Sequence, residues 1–332
     1  MHVLQIGNGK PPHSTENHLH RALLENGCRA TFLQEDDPGS FASAASILAT
    51  SDVDFVLWTR TGWDWDRNGY PGGRVQANAD QHAMLRTARA LGIPTVGYHL
   101  DIWHGLKRAV EVDVEPFFHC SLLITADGGH DQEWAKRGIN HLWMPPGVSR
   151  AECEIGTARE EFRSKIAFVG SWSGGYHPEH RHRHALVQWL QTNFRRDCAF
   201  WPKHGQPAVR GKDLQDLYAS VDVVVGDSCF AGLGVKNYWS DRIPETLGRG
   251  GLLIHPNVPG LDVQFPKGTM LTWDAGNWDA LGEQIEWALT HPDEADDIRR
   301  AGREHVLARH TYEHRMETVL RLIRNWQENS EW

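Results

Sequence analysis

Short apolar runs alternate with amphipathic runs along the whole chain, and this alternation limits the possible folds more than any other feature. Residues 2–6 form an apolar run that ends at Gly7, and Ser14 is a suitable N-cap for a helix over 14–27. A strand–helix–strand–helix order predicts an α/β fold, in which a parallel sheet carries helices on both faces. The further predicted strands are 30–33, 53–58, 94–99, 121–125, 166–169, 199–201, 221–225 and 252–255. The further predicted helices are 80–91, 184–194, 214–219, 243–249, 278–290, 292–310 and 312–326.

The alternation is interrupted within residues 141–154, where Pro145, Pro146 and Gly147 are typical of a linker or hinge. A length of 332 residues fits two domains of roughly 100–200 residues each. We therefore predict a Rossmann-like domain over 1–150, a second one over 151–310 and a terminal helix over 311–332. Doubly wound folds bind ligands outside the carboxyl ends of their strands, so we expect the functional cleft there.

Composition and charge exclude several classes of protein. The net charge is −9 and is spread over both halves of the chain, which disfavours binding of nucleic acid by bulk charge. Apolar runs such as 221–225 are far shorter than the roughly 20 residues that cross a bilayer. The first residues do not resemble a secretory signal, and the five Cys are scattered, which is typical of a reducing compartment. We therefore expect a cytoplasmic protein with no membrane span.

Residues 216–259 carry the most informative pattern. The strand 221–225 runs into a glycine-rich loop with Gly232 and Gly234, and a short helix follows with Glu245 in its first turn. A carboxylate there is favoured by the helix dipole and could accept hydrogen bonds from two ribose hydroxyls. Free N–H groups of the loop and of the helix end could bind a diphosphate, with Lys236 and Arg242 as its counter-charges.

The same segment resembles a known family. The runs DLYASVDVVVG and ETLGRGGLLIHPNVPG are similar to the donor half of the GT-B glycosyltransferases, closest to the group 1 and spore-maturation-type members. The run IAFVGSWSGGYHPEHRHRHALVQWL resembles the opening strand, glycine turn and Arg-bearing helix of that half. The likeness continues through the C-terminal helices and is looser over the first domain.

This resemblance implies a GT-B fold with two Rossmann-like domains facing a central cleft and a terminal helix that crosses back to the first domain. It implies a nucleotide-diphosphate sugar as co-substrate, a sugar acceptor with a hydroxyl group, and no other cofactor. It also implies Glu245 on the ribose, the cations Arg181, Lys236 and Arg242 near the diphosphate, and Gly170 as a further donor-binding residue. Many relatives have a second acidic residue eight positions before the ribose-binding one, which reaches the donor sugar. This chain has Asn237 there, and its amide can still donate a hydrogen bond to a sugar hydroxyl, so Asn237 is a further candidate for donor binding.

The first domain offers residues for the acceptor side. The strand 94–99 ends at His99, and Asp101 and Trp103 follow. Asp101 or His99 could take the proton of an acceptor hydroxyl, and Trp103 could stack on the acceptor. His13 and Glu16 of the opening loop and His130 are the other candidates at strand ends. The Gly7-x-Gly9 pair lacks the third glycine of a dinucleotide fingerprint, so we reject NAD binding.

A metal site is not expected. His177, His180, His182 and His184 are interspersed with Arg181 and Arg183, and cations between ligands disfavour a divalent ion. The Asp64-x-Asp66 pair, which resembles the signature of metal-dependent transferases of another fold, lies in a Gly/Pro-rich loop. We therefore expect metal-independent transfer.

Three other functions remain open. A nucleotide-sugar epimerase shares this fold and the ribose-binding Glu, and would isomerise rather than transfer the sugar. A non-catalytic binder would bind the donor without turnover. A transferase that glycosylates modified bases in DNA would need a local positive groove and salt-sensitive binding. The cations available for such a groove are Arg60, Arg67, Arg74, Lys107 and Arg108.

Overall fold

The computed structural model describes residues 1–60, 72–100, 112–172 and 181–329, apart from the side chain of Arg181. Several predictions lie outside these ranges: the roles of Asp101 and Trp103, the Asp64-x-Asp66 loop, the region of His177 and His180, and the groove cations Arg67, Lys107 and Arg108. The chain divides into two compact units. Unit 1 comprises Met1–Pro145 and Tyr312–Trp332, and unit 2 comprises Pro146–Thr311.

Unit 1 contains a parallel six-stranded sheet with the order β2-β1-β3-β4-β5-β6. Its strands are β1 (His2–Gly7), β2 (Arg29–Gln34), β3 (Phe55–Arg60), β4 (Thr95–His99), β5 (Leu122–Thr125) and β6 (His141–Trp143). The register aligns Ile6 with Trp58 and Arg60 with His99. Because all the pairings are parallel, the carboxyl ends of β1, β3, β4 and β5 lie along one edge of the sheet.

Helices cover both faces of the unit 1 sheet. They are α1 (Thr15–Glu25), α2 (Ser40–Thr50), α3 (Gly73–Ala90), α4 (Asp131–Lys136) and α11 (Tyr312–Asn329). The strands alternate between the faces: Leu57 packs with α1 and α11, and its neighbour Trp58 packs with α2 and α3. Phe117 and Phe118, which lie in a 3-10 turn at Pro116–His119, pack on the same face as Trp58, α2 and α3. This is the two-faced arrangement that the sequence predicts.

The terminal helix α11 is part of the core of unit 1. Its apolar side chains at Met316, Val319 and Ile323 are fully buried. The Arg315 side chain donates from Nε to the carbonyl of Pro145 at 2.9 Å, and the hydroxyl of Tyr98 donates to the carbonyl of Met144 at 3.0 Å. The helix α11 therefore packs against the same sheet as the helix α1, which lies about 290 residues earlier in the chain.

Unit 2 contains a parallel five-stranded sheet with the order β11-β10-β9-β7-β8. Its strands are β7 (Ser164–Val169), β8 (Cys198–Trp201), β9 (Val221–Val225), β10 (Leu253–Pro256) and β11 (Leu271–Trp273). Its helices are α5 (Arg181–Asn193), α6 (Gly211–Ala219), α7 (Arg242–Gly248), α8 (Leu261–Gln264), α9 (Trp278–Thr290) and α10 (Pro292–Arg309). Apolar residues of α5 and α9 pack on one face of this sheet. Each unit is thus a Rossmann-like layer structure, which confirms the predicted fold class.

The structure differs from the prediction at several short elements. Residues 141–154 are not simply a linker, because they include β6 and a 3-10 turn at Arg150–Glu152. The helix α3 begins seven residues before the predicted start, and α2, α8 and β11 were not predicted. Within the described residues, no helix is both long and apolar enough to cross a membrane.

Candidate functional site

The first turn of α7 holds Glu245 in a fixed and accessible position. Arg242, three residues earlier, donates to Oε2 of Glu245 at 3.1 Å and to the hydroxyl of Tyr218 at 3.1 Å. Thr246 donates to the same hydroxyl at 3.2 Å. The side chains of Arg242 and Glu245 are each 15% exposed. Tyr218 and Arg242 therefore orient a carboxylate that a ligand can still reach.

Buried charged side chains fix the position of α7. The fully buried guanidinium of Arg249 donates to the carbonyl of Glu245 at 3.1 Å and pairs with the carboxylate of Glu152. Asp241 precedes α7, and burial together with the negative charge of Glu245 raises the pKa of its carboxyl. Two carboxyl groups thus lie at the start of a helix of seven residues. This arrangement suits hydroxyl groups better than a diphosphate at that helix end.

The loop between β9 and α7 carries the other predicted donor residues. Gly232 and Gly234 are exposed and have φ values of 72° and 68°, which a residue with a side chain rarely adopts. Lys236 is exposed in the same loop. Asn237 also has a positive φ, 59°, and its N–H donates to the carbonyl of Pro259 at 2.9 Å. Lys236 and the two glycines are therefore exposed to solvent. The hydrogen bond from Asn237 connects this loop to the loop that follows β10.

The turn after β7 holds the two remaining predicted donor residues. Gly170 directly follows β7, and its N–H donates to the carbonyl of Trp201 at 2.8 Å. That N–H is consequently not available to a phosphate. Arg181 is the first residue of α5, and its side chain lies outside the described part of the chain.

Asp227 is a central residue of this edge and is not among the residues predicted from the sequence. It lies two residues after β9, is 4% exposed, and accepts hydrogen bonds from Nδ1 of His182 at 2.9 Å and Nε of Arg183 at 3.0 Å. Arg183 also donates to the carbonyl and hydroxyl of Ser171. An acidic residue shortly after a buried strand is a signal that the sequence does offer. The partners of Asp227, however, lie on a helix 44 and 45 positions earlier in the chain, so no local spacing pattern indicates them.

His255, at the carboxyl end of β10, is fully buried beside this cluster. Burial lowers the pKa of its imidazole to about 4, so the ring is neutral near pH 7. Nδ1 faces the carbonyl of Pro256 at 2.8 Å and is therefore the protonated nitrogen. Within the described residues, Nε2 is buried without a hydrogen-bond partner.

In unit 1 the structure places Glu16 and His99 at the carboxyl edge of the sheet. Glu16 begins α1 beside Gly7, is 2% exposed, and has a buried Oε1 without a hydrogen-bond partner among the described residues. Burial raises the pKa of its carboxyl, although hydrogen bonds from Ser14 and from backbone N–H groups oppose this. His99 ends β4, is 4% exposed and contacts the ring of Phe117 edge-on at 6.0 Å.

The other acceptor-side candidates are less enclosed. His13 is exposed in the opening loop. His130 precedes α4, and its ring nitrogen lies 3.9 Å from the carboxylate of Glu133. Arg60, one of the cations considered for a DNA groove, is paired with Glu115. No group of three or more His, Cys, Asp or Glu side chains that could hold a metal occurs within residues 1–60, 72–100, 112–172 and 181–329.

Comparison with known proteins gives one family match. Residues 160–321 match the model of the family described as "Glycosyl transferase-like". This segment contains α5, the β9–α7 loop, Glu245 and Asp227. A search of curated protein sequences finds no match to the chain.

Solved structures resemble the whole chain. A glycosyltransferase from Rickettsia africae is 13% identical, covers 99% of both chains and has a TM-score of 0.64. The Anabaena protein HepE in complex with UDP-glucose is 12% identical, covers 96% of this chain and 99% of its own, and has a TM-score of 0.60. An alpha-glucosyltransferase bound to UDP and a 13-mer DNA containing an HMU base is 9% identical, covers 97% and 99%, and has a TM-score of 0.61. At these identities the likeness is one of fold.

Proposed function

We propose that this chain, whose residues 160–321 match the model of the glycosyl transferase-like family, is a GT-B glycosyltransferase that takes its sugar from a nucleoside-diphosphate donor, which Glu245 binds through the ribose. The observation that carries the proposal is the accessible Glu245 carboxylate held by Arg242 and Tyr218. A carboxylate has two oxygens, which match the two neighbouring hydroxyls of a ribose. Its orientation before binding reduces the entropy lost when the nucleotide binds.

UDP is the nucleotide we expect first. Two of the similar structures hold UDP or UDP-glucose. In this chain the exposed Lys236 and the glycines at 232 and 234 would contact the diphosphate. Cations and N–H groups there would stabilise the negative charge that develops on the leaving nucleotide, so transfer would need no metal ion.

The acceptor would bind at the strand ends of unit 1. Its hydroxyl has to lose a proton during transfer, and His99 and Glu16 are buried bases at that edge. Asp101, outside the described residues, remains the third candidate. We favour a small molecule or a glycan over DNA, because Arg60 is already paired with Glu115 and so has less capacity to neutralise phosphates.

The test is a panel of UDP, GDP, TDP, ADP and CDP, with and without Mg²⁺, measured by thermal shift and calorimetry. We expect one nucleotide, UDP, to raise the melting temperature without requiring Mg²⁺, and Glu245→Gln to show a smaller rise at the same UDP concentration. Failure of all five nucleotides to bind would overturn the proposal. Transfer is then separated from isomerisation by product analysis with the matching UDP-sugar, since an epimerase returns a nucleotide sugar and releases no UDP.

A further inference from the structure

Asn237, in the loop between β9 and α7, has an unusual backbone conformation. Its φ is 59°, and among the residues that the structure describes every other positive φ belongs to a glycine. Left-handed conformations are costly for residues with a side chain, and Asn tolerates them better than most. Such conformations persist where neighbouring contacts enforce them, and they concentrate at functional sites. The contacts of Asn237 therefore indicate what this residue does.

The first contact is with a turn that follows β10. The N–H of Asn237 donates to the carbonyl of Pro259 at 2.9 Å. A hydrogen bond of 2.9 Å from the N–H of Leu261 to the carbonyl of Val258 closes this turn. Gly260, its third residue, has a φ of 88°, as a type II turn requires. Val258 and Leu261 are both buried, so the turn that accepts the hydrogen bond from Asn237 is itself fixed.

The side chain of Asn237 packs against the same turn. A Cβ on Gly260 would lie 2.3 Å from Oδ1 of Asn237 and 3.5 Å from its Cγ. Position 260 therefore has no room for a side chain, because the amide of Asn237 occupies that space. The hydrogen bond to Pro259 and the packing on Gly260 together connect one loop to the next, and we call them the Asn237 contact.

Asn237 also marks the boundary between the exposed and the buried parts of its loop. Lys236, directly before it, is exposed, as are the glycines at 232 and 234. Phe230 and Tyr238, on either side of this exposed segment, are 1% and 5% exposed, and their ring centroids lie 4.7 Å apart. The exposed segment 232–236 thus begins and ends at a buried base. The φ of Asn237 sets the direction in which Lys236 leaves that base.

We propose that Asn237 is a positioning residue, whose left-handed backbone and contact with Pro259 and Gly260 place Lys236 at the diphosphate of the donor. This inference rests on the proposed function, in which Lys236 contacts that diphosphate. The resemblance to glycosyltransferases implies instead that the side chain at position 237 reaches the donor sugar. The packing of the amide on Gly260 supports a role within the protein, and a neutral amide adds no negative charge beside a diphosphate.

The first test needs no nucleotide. The peptide bond between Lys236 and Asn237 is a trypsin site, and proteases cleave a segment after it leaves its native contacts. Gly260→Ala would place its Cβ against the Asn237 amide, so cleavage after Lys236, identified by the masses of the two fragments, should be at least about fivefold faster than in the wild type. The control is Gly268→Ala, because Gly268 has a φ of 92° and no atom within 4 Å of an added Cβ.

The control variant imposes a similar backbone strain without touching the Asn237 contact. Cleavage after Lys236 should therefore be slower in Gly268→Ala than in Gly260→Ala. Equal cleavage rates in the two variants would overturn the proposal, because they would show that Gly260 acts only through its own backbone.

The second test compares two replacements of Asn237 itself. Glycine accepts a positive φ without strain, whereas alanine does not. We expect UDP affinity, measured by calorimetry on the full chain, to fall about tenfold in Asn237→Ala and less than about threefold in Asn237→Gly. A side chain that binds only the sugar predicts that both variants bind UDP like the wild type and lose affinity for the UDP-sugar equally. That result would overturn the positioning role.

Uridine separates positioning of Lys236 from general damage to unit 2. It carries the ribose that Glu245 would bind but has no diphosphate, so its affinity, measured by competition, should be the same in Asn237→Ala and the wild type. Equal losses for uridine and UDP would contradict the proposal. A wild type that binds no UDP would overturn the proposed function, while the trypsin comparison would still decide whether the Asn237 contact holds the loop.

Discussion

The contacts of Arg242 give this residue a different role from the one predicted. From the sequence it is expected to be a counter-charge for a diphosphate, whereas in the structure its guanidinium donates to both Glu245 and Tyr218. An arginine already engaged in this way acts mainly by orienting the carboxylate. Among the predicted cations whose side chains the structure describes, the exposed Lys236 is then the better candidate to contact the diphosphate.

Replacing Glu245 should separate nucleotide binding from folding. Glu245→Gln removes the charge that strengthens the hydrogen bonds to ribose, which are worth about 1.5–3 kcal/mol. We expect UDP affinity, measured by calorimetry, to fall roughly tenfold to a hundredfold. Glu283→Gln, which removes an exposed carboxylate from α9, is the control and should leave UDP affinity unchanged. Equal affinities in the two variants would contradict the ribose role.

The buried Glu16 makes a prediction about pH. Because burial raises the pKa of its carboxyl, the folded state binds more protons than the unfolded state between the ordinary value of 4.5 and the raised one. This contribution to the free energy of unfolding is therefore lost as the pH rises through that interval. Glu16→Gln, which carries no charge, should be more stable than the wild type at pH 7–8 in urea titrations.

The stability gain of Glu16→Gln should shrink as the pH falls towards 4.5, because the wild-type carboxyl is then protonated. If Glu16 also contacts the acceptor, the same variant should lose transferase activity while gaining stability. A variant that is less stable than the wild type at pH 8 would show that the Glu16 carboxylate is satisfied as a charge in the folded protein.

Two glycines in helices, Gly302 and Gly282, differ in the space around them, so replacing each by alanine should change the stability of the fold in opposite directions. A Cβ on Gly302 of α10 would lie 2.3 Å from the carbonyl oxygen of Thr269, whereas a Cβ on Gly282 of α9 would lie 3.8 Å from Trp189. Gly302→Ala should therefore lower the free energy of unfolding by about 1–3 kcal/mol. Gly282→Ala should raise it by about 0.5–1 kcal/mol, because alanine loses less backbone entropy in a helix. Chemical denaturation of the two variants checks both signs.

The strands were predictable where they are long and apolar, and less so where they are short. Each of β1, β4, β7 and β9 overlaps an apolar run that ends in a glycine or a polar residue. The three-residue strands β6 and β11 exist because they pair with a neighbour already in the sheet. Sequence periodicity does not record such pairing.

The candidate site was predictable in its local part only. Glu245 and the glycines at 232 and 234 follow from the order strand, loop and helix within one short segment. The Asp227 cluster with His182 and Arg183 depends on the packing of α5 against the end of β9. Contacts between residues distant in the chain leave no spacing pattern in one sequence, so only the structure reveals them.

At the scale of the whole molecule, unit 2 is formed by one continuous segment of the chain, whereas unit 1 is formed by two separate segments. Unit 2 has its own apolar core between its sheet and the helices α5 and α9. We therefore expect residues 146–311 produced alone to fold cooperatively and to bind UDP with an affinity within about tenfold of that of the full chain. A folded but non-binding segment would show that donor binding requires unit 1.

Because α11 fills the core of unit 1, the order of synthesis matters. Unit 2 spans Pro146–Thr311, and at about 5–20 residues per second its translation takes roughly 10–30 s. During that time the face of the first sheet that α11 covers, including Phe55, Leu57 and Val96, has no terminal helix to cover it. The nascent chain on the ribosome should therefore be a chaperone client until α11 emerges, and premature termination before Tyr312 should yield aggregates instead of a shortened folded protein.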